Sequence, residues 1–177
     1  MDTRTLQLHL SQFVKCTNVK NVHVVARDQL HQIDLTKFPT CLIVNTNRIA
    51  NKTLGHWIGI FISKGTKLNQ VQCEVWDSYG RPLEDYNIRL PFPIKMQNQK
   101  TYQSHTSNLC GIFSMFFLVG RANGLKFEKI SSYFSNNLKQ NDQKMRLFYK
   151  RMLKEFANKK CCIKGGQSCS TRILNKL

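Results

Sequence analysis

Acidic residues are scarce in this chain: ten Asp plus Glu stand against 27 Lys plus Arg, a net charge of +17 over 177 residues. A surface so one-sided attracts polyanions, nucleic acid first and anionic membrane second. Long apolar runs are also missing. The longest, inside GIFSMFFLVG at 111–120, is about half of the roughly 20 residues a membrane-spanning helix needs. The opening MDTRTLQLHLSQF mixes charged, polar and apolar residues where an export signal has a continuous apolar stretch, so a soluble intracellular protein is expected. Cysteine follows no framework. Seven of them, at 16, 41, 73, 110, 161, 162 and 169, are an odd number at irregular spacing, which suits neither a secreted disulfide scaffold nor a zinc site. At least one thiol is expected free, adjacent Cys161 and Cys162 lack a Cys-x-x-Cys partner, and no metal is expected.

The length suits one compact domain with a single core. Leu6, Leu10, Phe13 and Val14 recur at helical spacing and predict a short amphipathic first helix over 3–14. VHVVA at 22–26 reads as a short strand or an apolar loop anchor. TCLIVNT (40–46), HWIGIFIS (56–63) and VQCEVWDS (71–78) are rich in β-branched and aromatic residues and predict strands. Three of only four prolines (82, 91 and 93) crowd into 80–100, an irregular connection with one short helical turn. From Cys110 the pattern turns helical, with Ile112, Phe113, Phe116, Phe117 and Val119 on a broad apolar face and Gly124 as the stop. Two further helices are predicted over 127–138 and 142–156. The class is α+β, a small central sheet between helices.

Cys110 opens that apolar helix, which leaves two readings. It is a small hydrophobe at the edge of a core, or a nucleophile whose thiolate is stabilised by a helix N-terminus. A nucleophilic cysteine needs a base, a group that orients the base, and donors for the oxyanion. His56 stands at the edge of an apolar strand, and Asp77 ends the next one on the parity of Val71, Cys73 and Val75, facing inward where an acid needs a partner. Glu74 lies on the opposite parity. Gln103, seven residues before Cys110, offers a neutral amide donor beside the Cys110 backbone N–H.

The ordered set GHWIGIF, CEVWDSYG, QS at 103–104 leading to CGIFSMFFL, together with TCLIVNT and NDQKMRLFYKRML, spans 40–153 and resembles the adenovirus-type maturation cysteine proteases. Their relatives in Polinton or Maverick elements and virophages, and more distantly the ubiquitin-like-protein proteases, share the pattern. The resemblance implies a papain-like core, placed at residues 1–158; periodicity is lost after Phe156 and a Gly-Gly pair follows, so 159–177 reads as a flexible basic tail. The resemblance assigns Cys110 as nucleophile, His56 as general base, Asp77 as the group orienting His56, and Gln103 with the Cys110 amide as oxyanion hole; adenovirus enzymes carry Glu where this chain has Asp77. Trp57 would shape the substrate groove, or serve as an ordinary core aromatic. Substrates would be capsid or core precursors cut near Gly-Gly or Gly-x-Gly, in the virion and at the assembly site, nuclear or cytoplasmic. The enzyme would act as a monomer without a metal or organic cofactor.

Two partners follow from the same resemblance. DNA is a cofactor in adenovirus enzymes, and here Lys144, Arg146, Lys150, Arg151 and Lys154 are the predicted contacts; residues 139–177 hold 11 Lys plus Arg and two acids. A short basic cysteine-bearing peptide is the other. Ile163-Lys164-Gly165-Gly166 before Gln167 fits the aliphatic-x-Gly-Gly rule, and a cut after Gly166 would release the 11 residues QSCSTRILNKL. A deconjugase of ubiquitin-like proteins, using the same residues, and a non-enzymatic nucleic-acid-packaging protein are the competing functions.

Overall fold

A computed structural model describes residues 1–51, 53, 55–65 and 70–157. Helix α1 (Thr3–Val14) starts where the Asp2 carboxylate accepts the Thr5 backbone N–H at 2.9 Å, and it buries Leu6, Leu10, Phe13 and Val14. Five strands form one mixed sheet in chain order: β1 (Asn21–Ala26), β2 (Thr40–Asn45), β3 (Trp57–Lys64), β4 (Val71–Trp76) and β5 (Ile94–Gln97). β2, β3 and β4 run as an antiparallel meander, with β1 parallel to β2 at one edge and β5 parallel to β4 at the other. Three more α-helices follow among the described residues, α2 (Cys110–Ala122), α3 (Phe127–Ser131) and α4 (Leu138–Ala157).

Strand alternation sorts the core into two halves. Cys41, Ile43, Trp57, Phe61 and Trp76 join the side chains of α1, α2 and α4 on one face. On the other, Leu42, Val44, Ile58, Ile60, Ile62, Cys73 and Val75 are covered by Leu30, Ile33, Leu35, Leu83, Leu90 and Phe92, which come from loops and two 3-10 helices (Arg27–Gln32 and Leu83–Tyr86). The long helices share one face and the two 3-10 helices flank the other, so the sheet lies between helices as the sequence pattern predicts. Gly59 lets α2 lie directly on β3: a Cβ there would stand 3.2 Å from the Ser114 backbone, and the Ser114 hydroxyl donates to the Trp57 carbonyl at 3.1 Å.

Two predicted boundaries move. The helix expected over 127–138 stops at Ser131, and the next begins at Leu138 instead of 142. The reason is polar competition: the Asn137 carboxamide oxygen accepts the Gln140 N–H at 3.0 Å as an N-cap, and the Ser135 N–H goes to the Asn141 side chain at 3.0 Å. Strand β5 was not legible among the prolines, because four residues beside a register irregularity at Cys73/Glu74 carry no alternation to detect.

Candidate active site

The site is built where β3, β4 and α2 meet. His56 precedes β3, Asp77 follows β4, and Cys110 is the first residue of α2. Adjacent antiparallel strands put the first two side by side, and the close packing at Gly59 brings the helix N-terminus over them. The His56 Nε2 lies 2.5 Å from Asp77 Oδ1, with the imidazole side chain 11% exposed and the carboxylate fully buried. That contact occupies Nε2 and leaves Nδ1 for Cys110.

Asp77 is held from all sides. Oδ1 also accepts the Tyr79 N–H at 2.9 Å; Oδ2 accepts the Arg81 N–H at 3.0 Å and the Tyr86 hydroxyl at 2.9 Å. Asn98 pairs with its backbone in both directions, accepting the Asp77 N–H at 2.9 Å and donating to the Asp77 carbonyl at 2.6 Å. Gly80 closes this turn at φ +70°, donating to the Asp77 carbonyl at 2.9 Å, and a Cβ on it would fall 2.7 Å from the Lys100 backbone. Tyr79 and Tyr86 pack their rings 4.7 and 5.8 Å from the His56 ring.

Three charges move each other. Burial by itself would raise the Cys110 thiol, but the His56 hydrogen bond and charge, with the Trp57 and Gly111 backbone N–H groups, outweigh it and hold the thiol below its usual value. Burial would lower His56; hydrogen bonds and charge from Asp77 and Cys110 reverse that and raise it to about 9. Burial would raise Asp77, and the His56 hydrogen bond and charge lead the groups that bring it below its usual value. All three directions favour a Cys110 thiolate beside a His56 imidazolium. Cys41 and Cys73 show the contrast: both are free buried thiols raised by burial alone, Cys73 to about 12, whereas Cys16 lies in a disulfide.

Gln103 is fully buried, with its Nε2 donating to the Ser107 carbonyl at 2.7 Å. One of its two amide N–H bonds is thereby used and the other is left to donate. The segment that carries it is anchored from α4, where Asp142 accepts the Ser104 hydroxyl and Asn141 donates to the Tyr102 carbonyl at 3.1 Å.

The geometry matches a known fold. The structure is similar to the crystal structure of a protease from ASFV, with a TM-score of 0.57 and 16% identity over 82% of this chain and 65% of that one. The chain shares the fold of that protease. It spans about two thirds of the length of that viral protease, and at this identity the likeness is one of fold. A Rickettsia bellii effector protein, RickCE, aligns at a TM-score of 0.43 and 18% identity over 75% of this chain and 55% of that one. No protein-family model and no curated protein matches the sequence.

The remaining predicted residues fall in different places. Trp57 is only 7% exposed; its indole N–H donates to the Met1 carbonyl at 3.2 Å, and its ring flanks Gly111, so most of its surface serves the core. On α4, Arg146, Lys150, Arg151 and Lys154 are exposed, with Leu147 and Leu153 standing among them. Lys144 is committed elsewhere: its ammonium donates to the Tyr133 carbonyl at 2.7 Å and sits 4.8 Å above the Tyr133 ring. Gly166, Gln167 and the whole stretch 159–177 lie outside the described residues. Among the described residues no group of His, Cys, Asp and Glu is arranged to hold a metal ion. Sequence reasoning missed Tyr86 and Asn98, which lie 9 and 21 positions from Asp77 and reach it only through the fold.

Proposed function

We propose that this chain is a viral or transposon-encoded cysteine endopeptidase that cleaves capsid or core precursor proteins after Gly-Gly or Gly-x sites during virion maturation, assisted by DNA. The observation that carries the chemistry is the helix-terminal Cys110 thiol, lowered by an imidazole whose other nitrogen is 2.5 Å from a buried carboxylate. The Cys110 thiolate attacks the scissile carbonyl. The free Gln103 N–H and the Cys110 backbone N–H receive the oxyanion, the His56 imidazolium protonates the leaving amine, and water then releases the acyl group. The choice of capsid precursors rests on the sequence motifs spanning 40–153. Action as a monomer in the virion or at its assembly site rests on the same motifs, and use of an activating peptide, in cis from 167–177 or in trans, on the Ile163-Lys164-Gly165-Gly166 stretch before Gln167.

For DNA the supporting feature is the exposed row Arg146, Lys150, Arg151 and Lys154. Four phosphate contacts give a slope of about −3.6 in log affinity against log salt, so binding to a random duplex should weaken about 100-fold between 50 and 200 mM salt. Fluorescence anisotropy checks this, and a flat salt dependence would reduce the basic face to a solubility feature.

The test of the whole reading is turnover of a fluorogenic peptide ending in Leu-Arg-Gly-Gly by the full chain, with and without DNA, beside the same protein alkylated with iodoacetamide. Turnover that alkylation abolishes and DNA raises is the expected result. Turnover restricted to ubiquitin-like fusions would favour a deconjugase. No turnover, even with the 167–177 peptide added, would overturn the catalytic assignment.

A further inference from the structure

Ser78 sits between the two halves of the candidate site. Its side chain is 1% exposed, and its hydroxyl donates to the Gln103 Oε1 at 2.7 Å. Its carbonyl accepts the backbone N–H groups of Tyr102 at 2.8 Å and Gln103 at 3.1 Å. The Gln103 amide is therefore gripped at both ends, by a donor at its oxygen and by the Ser107 carbonyl at its nitrogen. A carbonyl can only accept, so the Ser107 end settles which atom is nitrogen, and the Ser78 hydroxyl holds the oxygen at the opposite end of the amide. Without it the buried Oε1 would lack a donor, and a rotation that satisfied it would replace the oxyanion's N–H with a lone pair.

We propose that Ser78 is the positioning residue of the oxyanion hole. It lies next to Asp77 in the chain, so one turn, 77–80, sets both the carboxylate behind His56 and the amide facing the reacting carbonyl. The inference rests on the cysteine-protease reading above and adds a part to it. The Asp77 carboxylate that holds His56 is bonded by Tyr79, Arg81 and Tyr86, while the Ser78 hydroxyl is directed to Gln103. Loss of that hydroxyl should therefore leave the thiolate–imidazolium pair in place while weakening oxyanion stabilisation.

Ser78→Ala in the full chain should lower kcat by about 10- to 100-fold with KM within twofold, below the roughly 100- to 1,000-fold of removing an oxyanion donor outright. Cys110 alkylation by iodoacetamide, which forms no oxyanion, should keep its wild-type rate and pH dependence. Ser78→Cys, nearly isosteric but a weak donor, should fall between wild type and Ser78→Ala. The Ser78→Ala/Gln103→Ala double variant should be no slower than Gln103→Ala alone, because Ser78 acts through Gln103. A wild-type kcat in Ser78→Ala, losses that multiply in the double variant, or alkylation slowed as much as turnover would each overturn the proposal. If the wild type turned over no peptide, the protease reading would fail separately. The Gln103 side-chain amide resonances would still decide the role of Ser78: displacement in Ser78→Ala is expected, and unchanged shifts would refute it.

Discussion

Cys110→Ala is expected to bring peptide hydrolysis down to the uncatalysed background, a loss on the order of 10⁴-fold or more, because the thiol beside His56 is the group that forms the acyl intermediate. Asp77→Asn makes the finer test of the same pair. An amide keeps the shape but not the charge that helps raise His56 to about 9, so the imidazolium becomes harder to hold and the Cys110 thiol rises with it. In the wild type, kcat/KM should climb as Cys110 ionises below its usual value and fall as His56 loses its proton near pH 9. The Asp77→Asn variant should move that alkaline limb down toward 6.5, the ordinary histidine value, and lower the rate about 100-fold at its best pH. A pH–rate profile with the alkaline limb unmoved would remove Asp77 from the role.

The same shifts set a stability window. His56 is raised, so its contribution is complete below about 6.5 and is lost as pH rises through about 9; Asp77 is lowered, so its contribution is present above 3.8 and is lost as pH falls through its depressed value. Urea midpoints should respond to the pair accordingly, flat between about pH 4 and 6.5 and declining toward 9.

Arg121→Ala should produce the largest loss of stability among single changes away from the site. Glu74 is buried on the helix face of β4, and Arg121, near the end of α2, meets it with one edge of the guanidinium, Nε and Nη2. Nη2 donates to Oε1 at 3.1 Å, and Nε lies 2.5 Å from Oε2 in a skewed contact that is ionic more than a directed hydrogen bond. The guanidinium also lies 5.1 Å above the Phe61 ring and donates to the Leu125 carbonyl. Removing it strands a carboxylate in the core, with an expected cost of about 3–5 kcal/mol by urea unfolding. Glu74→Leu combined with Arg121→Met should recover most of that, since two apolar residues leave no charge unpaired. A double variant as unstable as Arg121→Ala would show that packing, not the stranded charge, sets the cost.

Much of this architecture was legible in local pattern. Helix α1 carries the stripe Leu6, Leu10, Phe13 and Val14 and is capped by Asp2, so its limits coincide with the predicted 3–14. The three central strands announced themselves by β-branched and aromatic runs, and Glu74 was placed opposite Cys73 and Val75 by parity, which is where Arg121 meets it. Elements whose stability comes from neighbours were not legible. Strand β5 exists because the β4 edge offers it backbone partners, and the start of α4 is set by capping side chains.

The candidate site divides along the same line. The order His56, Asp77, Gln103 and Cys110, the glycine after the cysteine and the basic row after 143 are properties of the chain alone, because a strand terminus or helix start is fixed by the residues that compose it. That Asp77 accepts from Tyr79, Arg81 and Tyr86 as well as His56, that Lys144 is spent on Tyr133, and that Ser78 grips the Gln103 amide were decided by the tertiary structure. These are contacts between segments up to 25 positions apart, made by polar groups that burial leaves no water to satisfy.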